Sequence, residues 1–161
     1  MKKLVFTMAL CLAAFADASA QDVYKEILRL SKETAADVSR DLQTRKVATF
    51  KVDGLEYMWR LTREKMPDSL YTNIMNEQAY ALYDYVSMFM TVYKSKEKEK
   101  ERQEVIVMFM ENSLNYPRFH DDDTEIAHAY ILAEGYITKF SLDTDWVLAA
   151  EAIRKKLKET L

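Results

Sequence analysis

The sequence of 161 residues holds only 2 Gly, 2 Pro and 1 Cys. Glycine and proline together average about 12% of protein sequences, so the residues that set tight turns are scarce here. A β-sandwich or barrel needs a turn every 8–12 residues or so, and this chain lacks the side chains that make them. The same shortage excludes collagen-like repeats and flexible linkers, and two glycines cannot build a phosphate-cradling loop. One cysteine leaves no disulfide within the chain. Beyond residue 20 no stretch reaches the roughly 18 uncharged apolar residues of a membrane span.

What is present points to helices. Hydrophobic residues make up 49% and charged residues 30% of the sequence, which suits an ordered globular domain rather than a disordered chain. The expected fold is all-α, a compact bundle of about six helices in a single domain over residues 21–161. Residues 1–20 read as a secretory signal. Lys2 and Lys3 precede an apolar run from Leu4 to Phe15, and Ala18-Ser19-Ala20 offers small residues at the −3 and −1 positions of a cleavage site. Cys11 follows Leu10 where a lipobox would need a small residue, which argues against a lipid anchor. Cleavage takes away two lysines, one aspartate and the cysteine, so the net charge of −3 becomes −4. The expected product is exported, to the periplasm or beyond. Its mild acidity disfavours nucleic acid, which is bound through Lys and Arg gathered on one face.

Apolar residues Val23, Ile27, Leu30, Ala35, Val38 and Leu42 recur near helical spacing and predict a first helix. Val47 to Val52 is β-branched and aromatic, so residues 46–52 read as a short extended segment. Asp53-Gly54 is then either a hairpin turn pairing Phe50 with Tyr57 or, with Glu56, the capping box of a helix over Leu55–Met66. An isolated hairpin is marginal in water, which favours the helix. Pro67 ends that helix, and Asp68 with Ser69 opens the next.

Twelve of the fifteen residues from Ala79 to Tyr93 are apolar or aromatic, and Asp84, Ser87 and Thr91 fall on one narrow stripe. A helix wetted along one line is surrounded by others. Lys94 to Glu104 balances five basic against four acidic side chains and reads as a solvated link. Val105 to Met110 is expected as a buried helix ending before Pro117. A further helix starts near Asp123 and carries Ile126, Ala129, Tyr130, Ala133, Tyr136, Ile137 and Phe140 on one face, with Gly135 inside it. The last helix holds Trp146, Ala150, Ile153 and Leu157. On this reading Gly54, Pro67 and Pro117 mark helix boundaries.

Asn115-Tyr116-Pro117 followed by the alanine-rich segment Trp146–Ala152 weakly resembles a tetratricopeptide-type helical hairpin, a family of stacked helix pairs that bind peptides. The resemblance spans only about 45 residues, and the long upstream helix breaks the 34-residue or so period of such arrays. As a whole the chain is also similar to small exported helical proteins of unknown role from gut-dwelling bacteria. That likeness implies no activity and no site residues.

The densest polar cluster runs from His120 to His128. Glu125 and His128 share the Glu-x-x-His spacing of di-iron bundles, but those need two such elements. As a calcium loop the segment has Ile126 where the turn glycine belongs. His120, Asp123, Glu125 and His128 remain the candidate ligands of a zinc or calcium ion, against helix capping by the acidic residues. No catalytic residues and no cofactor are assigned. Ten Tyr, two Trp and the seven of nine Met that lie beyond residue 20 supply the large side chains that interfaces favour. The leading expectation is therefore a protein or peptide partner bound through Trp59, Trp146 and Tyr136. The alternatives are a hydrolase or metal-dependent enzyme centred on residues 120–128, an immunity or inhibitor protein, and a carrier of apolar ligands along the Tyr- and Met-rich central helix. Oligomeric state is not readable from the sequence.

Overall fold

The computed structural model describes residues 23–65, 68–118 and 123–160. The signal-like residues 1–20, Pro67 and His120 lie outside them. Among the described residues there are seven helices and no strand: α1 (Val23–Ala36), α2 (Leu42–Lys65), α3 (Asp68–Ser95), α4 (Glu99–Leu114), α5 (Thr124–Ala127), α6 (Ala129–Leu132) and α7 (Trp146–Thr160). The all-α bundle expected from the scarcity of turn residues is what forms. None of these helices is long and apolar enough to cross a membrane.

α1 is shorter than its apolar spacing predicts. Asp37 accepts hydrogen bonds from the Ser39 amide at 3.0 Å and hydroxyl at 2.6 Å, and Asp41 accepts from the Thr44 amide at 2.8 Å. Short polar side chains that bond the nearby backbone divert it from the helix, and Asp41 caps the next one. Val38 is left 81% exposed.

The extended segment over 46–52 and the Asp53-Gly54 boundary do not form. α2 runs through both, burying Val47, Phe50, Gly54, Met58 and Leu61 at helical intervals. Packing has overridden the β-preference of Val47, Thr49 and Val52. A Cβ on Gly54 would lie 3.4 Å from Leu82 Cδ2, an ordinary contact. Gly54→Ala is therefore expected to stabilise the protein by about 1 kcal/mol through helix propensity, read as a higher urea midpoint at unchanged slope.

α3 is the hub, packing against α1, α2, α4 and α7. Met75, Gln78, Ala79, Leu82, Tyr85, Val86 and Phe89 are buried at steps of three and one, while Glu77, Tyr80 and Thr91 face water. Asp84 on the wet line accepts a 2.5 Å hydrogen bond from Arg154 of α7. The link between α3 and α4 is only residues 96–98, with Arg102 Nε donating to the Lys96 carbonyl at 2.9 Å. α4 buries Val105, Ile106 and Phe109, as its apolar run predicts.

Residues 115–145 depart furthest from expectation. The single helix from Asp123 to Phe140 is replaced by α5, α6 and an irregular return, so the tetratricopeptide-like hairpin is not formed. Gly135 lies in the loop rather than in a helix, at φ +73°, which glycine adopts without strain. The loop closes on itself. Pro117 bridges Thr144, the Arg118 amide donates to the Asp143 carbonyl, and the Leu142 amide donates to Ala127 at 2.8 Å. Lys139 Nζ donates to the carbonyls of Ile131 and Ala133 at the end of α6. This closure drives Phe140 into the core, where its ring meets Phe50, Tyr85 and Phe89 edge to face at 5.1–5.4 Å.

A buried polar network fixes the loop to the bundle. Asp145 accepts from Gln78 Nε2 at 2.8 Å and from Arg118 Nη1 at 2.6 Å, and it caps α7 through the Val147 and Leu148 amides. The Gln78 side-chain oxygen Oε1 accepts from the Trp146 backbone amide at 2.8 Å. The Gln78 side-chain amide, the Asp145 carboxylate and Arg118 Nη1 thus satisfy one another, which lowers the penalty of burying them.

Candidate functional site on the exposed face of α2

Asp53, Glu56, Tyr57 and Arg60 stand three, four and seven residues apart, so a helix places them on one face. Two clefts flank these two turns of α2, each about 590 Å³, and both include Glu56 and Arg60. On the α1 side the cleft is floored by Tyr24, Leu28, Leu55 and Trp59. On the other side α5 and α6 supply Asp123, Glu125, Ile126, Ala129 and Tyr130.

Trp59 is 39% exposed, with the Arg63 guanidinium 4.5 Å from its ring centroid. Glu56 forms an ion pair with Lys32 of α1 at 2.7 Å. Asp53 accepts from the Tyr130 hydroxyl at 2.5 Å. Burial first, and then the neighbouring Asp53 carboxylate, push the Tyr130 phenol above its ordinary pKa and keep it a donor. Tyr130 in turn packs edge-on against Phe50 at 4.9 Å, which ties the cleft wall to the core.

The structure sorts the residues singled out by sequence into four groups. Trp59, Asp123 and Glu125 come to the two sides of one face. Trp146 does not reach a surface: it is fully buried between Phe50 and Tyr85, so it has nothing to offer a partner. Tyr136 is half-buried, edge-on to Tyr130 at 5.0 Å with Lys46 Nζ over its ring, which makes it a loop fastener. His128 sits at the junction of α5 and α6, where its carbonyl accepts from the Ile131 and Leu132 amides.

Asp123 caps α5, accepting from the Glu125 and Ile126 amides at 3.1 and 3.3 Å. Among the described residues no three His, Cys, Asp or Glu side chains come together as a metal site. Of the aromatic residues on the central helix, Tyr85 and Phe89 are core, fully buried against Phe109, while Tyr83 and Tyr93 are partly buried and Tyr80 is exposed. Arg60 was not singled out by sequence. Its signal was the 53, 56, 57, 60 spacing, hidden once residues 46–52 were read as extended and Asp53 as a turn or cap.

The two tryptophans differ enough to be separated in solution. Acrylamide is expected to quench Trp59 emission and spare most of Trp146, so Trp59→Phe should leave a blue-shifted, poorly quenched spectrum. A Trp146 signal quenched as readily as that of a free indole would contradict its burial.

Compared with protein families, with curated proteins and with solved structures, the chain matches none.

Proposed function

We propose that this chain is an exported helical protein that acts by binding a protein or peptide segment on the α2 face between Asp53 and Trp59. The observation that carries the reading is Trp59: a large aromatic side chain held partly exposed in a preformed cleft, steadied by Arg63 and beside the Lys32–Glu56 pair. Tryptophan and arginine at a cleft are the side chains that most often dominate interface energetics. Export rests on the Lys2-Lys3, Leu4–Phe15 and Ala18-Ser19-Ala20 pattern.

A photoreactive amino acid placed at Lys25, on the rim of the Trp59 cleft, tests the reading in the source cells. A specific cross-linked partner is expected, together with a mature mass beginning at Gln21. Adding Trp59→Ala should weaken that partner's affinity by about 2 kcal/mol, roughly thirtyfold, while the melting temperature moves by only a few degrees. Undiminished affinity in the folded Trp59→Ala protein would rule this face out.

A further inference from the structure

We propose that the partner segment seated between α2 and α5–α6 is a cationic amphipathic peptide, one that sets a bulky apolar side chain beside Lys or Arg. This rests on the binding reading above and names the chemistry of the occupant. The cleft has an apolar floor of Tyr57, Ala129, Tyr130 and Leu142, and Ile126 stands 42% exposed at its edge. Among the described residues its charged rim is Asp53, Glu56, Asp123 and Glu125 with Arg60. Glu56 also faces Lys32, and even with that cation counted the rim stays negative.

The Tyr130 hydroxyl donates to Asp53, and the Glu125 and Ile126 amides donate to Asp123, so the positions of both carboxylates are fixed in advance. An apolar floor inside a ring of one sign selects a partner of the opposite sign carrying an apolar anchor. The other clefts lack this contrast. The one between α3 and α7 sets Glu77 and Glu151 against Arg154 with few charges beside it, and the one between α3 and α4 sets Lys96 against Glu101 and Glu104 at its mouth. In neither does an exposed apolar side chain stand among four carboxylates.

Rise along a helix is about 1.5 Å per residue, so residues 53–60 span about 10 Å, the length of two turns of a bound helix. The probe is a labelled peptide of roughly twelve residues with Leu and Lys at helical spacing, set against a Leu/Glu counterpart and against spermine, which has the charge without the apolar anchor. The full chain is expected to bind the Leu/Lys peptide and neither of the others, with affinity falling as salt rises. Glu125→Lys should weaken binding about tenfold, Glu125→Gln less, and Ile126→Ser about fivefold, with the helical circular dichroism of each variant unchanged.

Three outcomes overturn the proposal. Spermine binding as tightly as the peptide would reduce the site to a charge patch. A Leu/Glu peptide that binds as well or better, and is lost in Ile126→Ser, would reverse the partner's sign while the binding reading stands. No binding by either peptide defeats the cationic partner, and only an accompanying absence of cross-links from the Trp59 cleft would defeat the binding reading as well.

Discussion

Asp145→Ala is expected to lower the unfolding free energy by about 3 kcal/mol, the combined cost of removing one partner from a largely buried ion pair and the cap of α7. Arg118 would lose the carboxylate that accepts its Nη1 at 2.6 Å, Gln78 Nε2 its 2.8 Å acceptor, and α7 its cap. For a domain of this size each kcal/mol shifts the melting temperature by about 3 °C, so the midpoint should fall by roughly 10 °C. Asp145→Asn keeps the shape and removes the charge, and is expected to fall between the two proteins.

The same residue sets part of the acid response. Burial alone would raise the Asp145 pKa, but the Gln78 and Arg118 hydrogen bonds and the Leu148 amide outweigh it and hold the carboxyl below its ordinary value. A depressed carboxyl pKa adds stability that is present above about pH 4 and is lost as pH falls through the folded-state value. The gap in stability between wild type and Asp145→Asn should therefore close as pH is lowered below 4. A gap that stayed constant down to pH 2 would mean that the charge is not what stabilises the loop.

The second large effect is at the neighbouring position. Trp146→Ala removes the largest fully buried side chain and is expected to cost about 3–5 kcal/mol, measured by urea unfolding. Trp146→Phe should cost clearly less, about 1–2 kcal/mol. Among the described residues the indole Nε1 has no hydrogen-bond partner, so phenylalanine forfeits volume but no hydrogen bond. Any loss of partner binding in Trp146→Ala must then track unfolding. In Trp59→Ala binding and stability should separate, which is how a core tryptophan and an interface tryptophan are told apart.

The extent of α3 and the helix over the 105–110 run were legible because their apolar residues had too few glycines and prolines to interrupt them. Only Val105, Ile106 and Phe109 of that run are buried, however, and Val107 stays 43% exposed. Asp84 was placed on a wet line by the helical period, and it faces Arg154 there. The two glycines were read the wrong way round. Gly54 followed an aspartate in a β-branched context, yet it lies inside α2 against Leu82; Gly135 sat in a helical pattern, yet it turns the loop at positive φ. Local signals of comparable strength competed at both positions, and contacts distant in sequence decided between them.

The candidate site follows the same division. Trp59 and the acidic pair Asp123 and Glu125 were visible as residue types, but Trp59 and Trp146 looked alike in sequence, each on an amphipathic helix. Sequence by itself determined the helical class, the amphipathic pattern that makes α3 central, the lack of a disulfide within the chain and the acidic balance, because composition and periodicity act locally. Only the tertiary structure decided which tryptophan meets solvent and that residues 115–145 fold back as a loop. It also decided that α5 and α6 wall a cleft against α2. Each of those outcomes depends on contacts between residues far apart in the chain, such as Gln78 with Asp145 and Asp53 with Tyr130, whose hydrogen bonds no local period encodes.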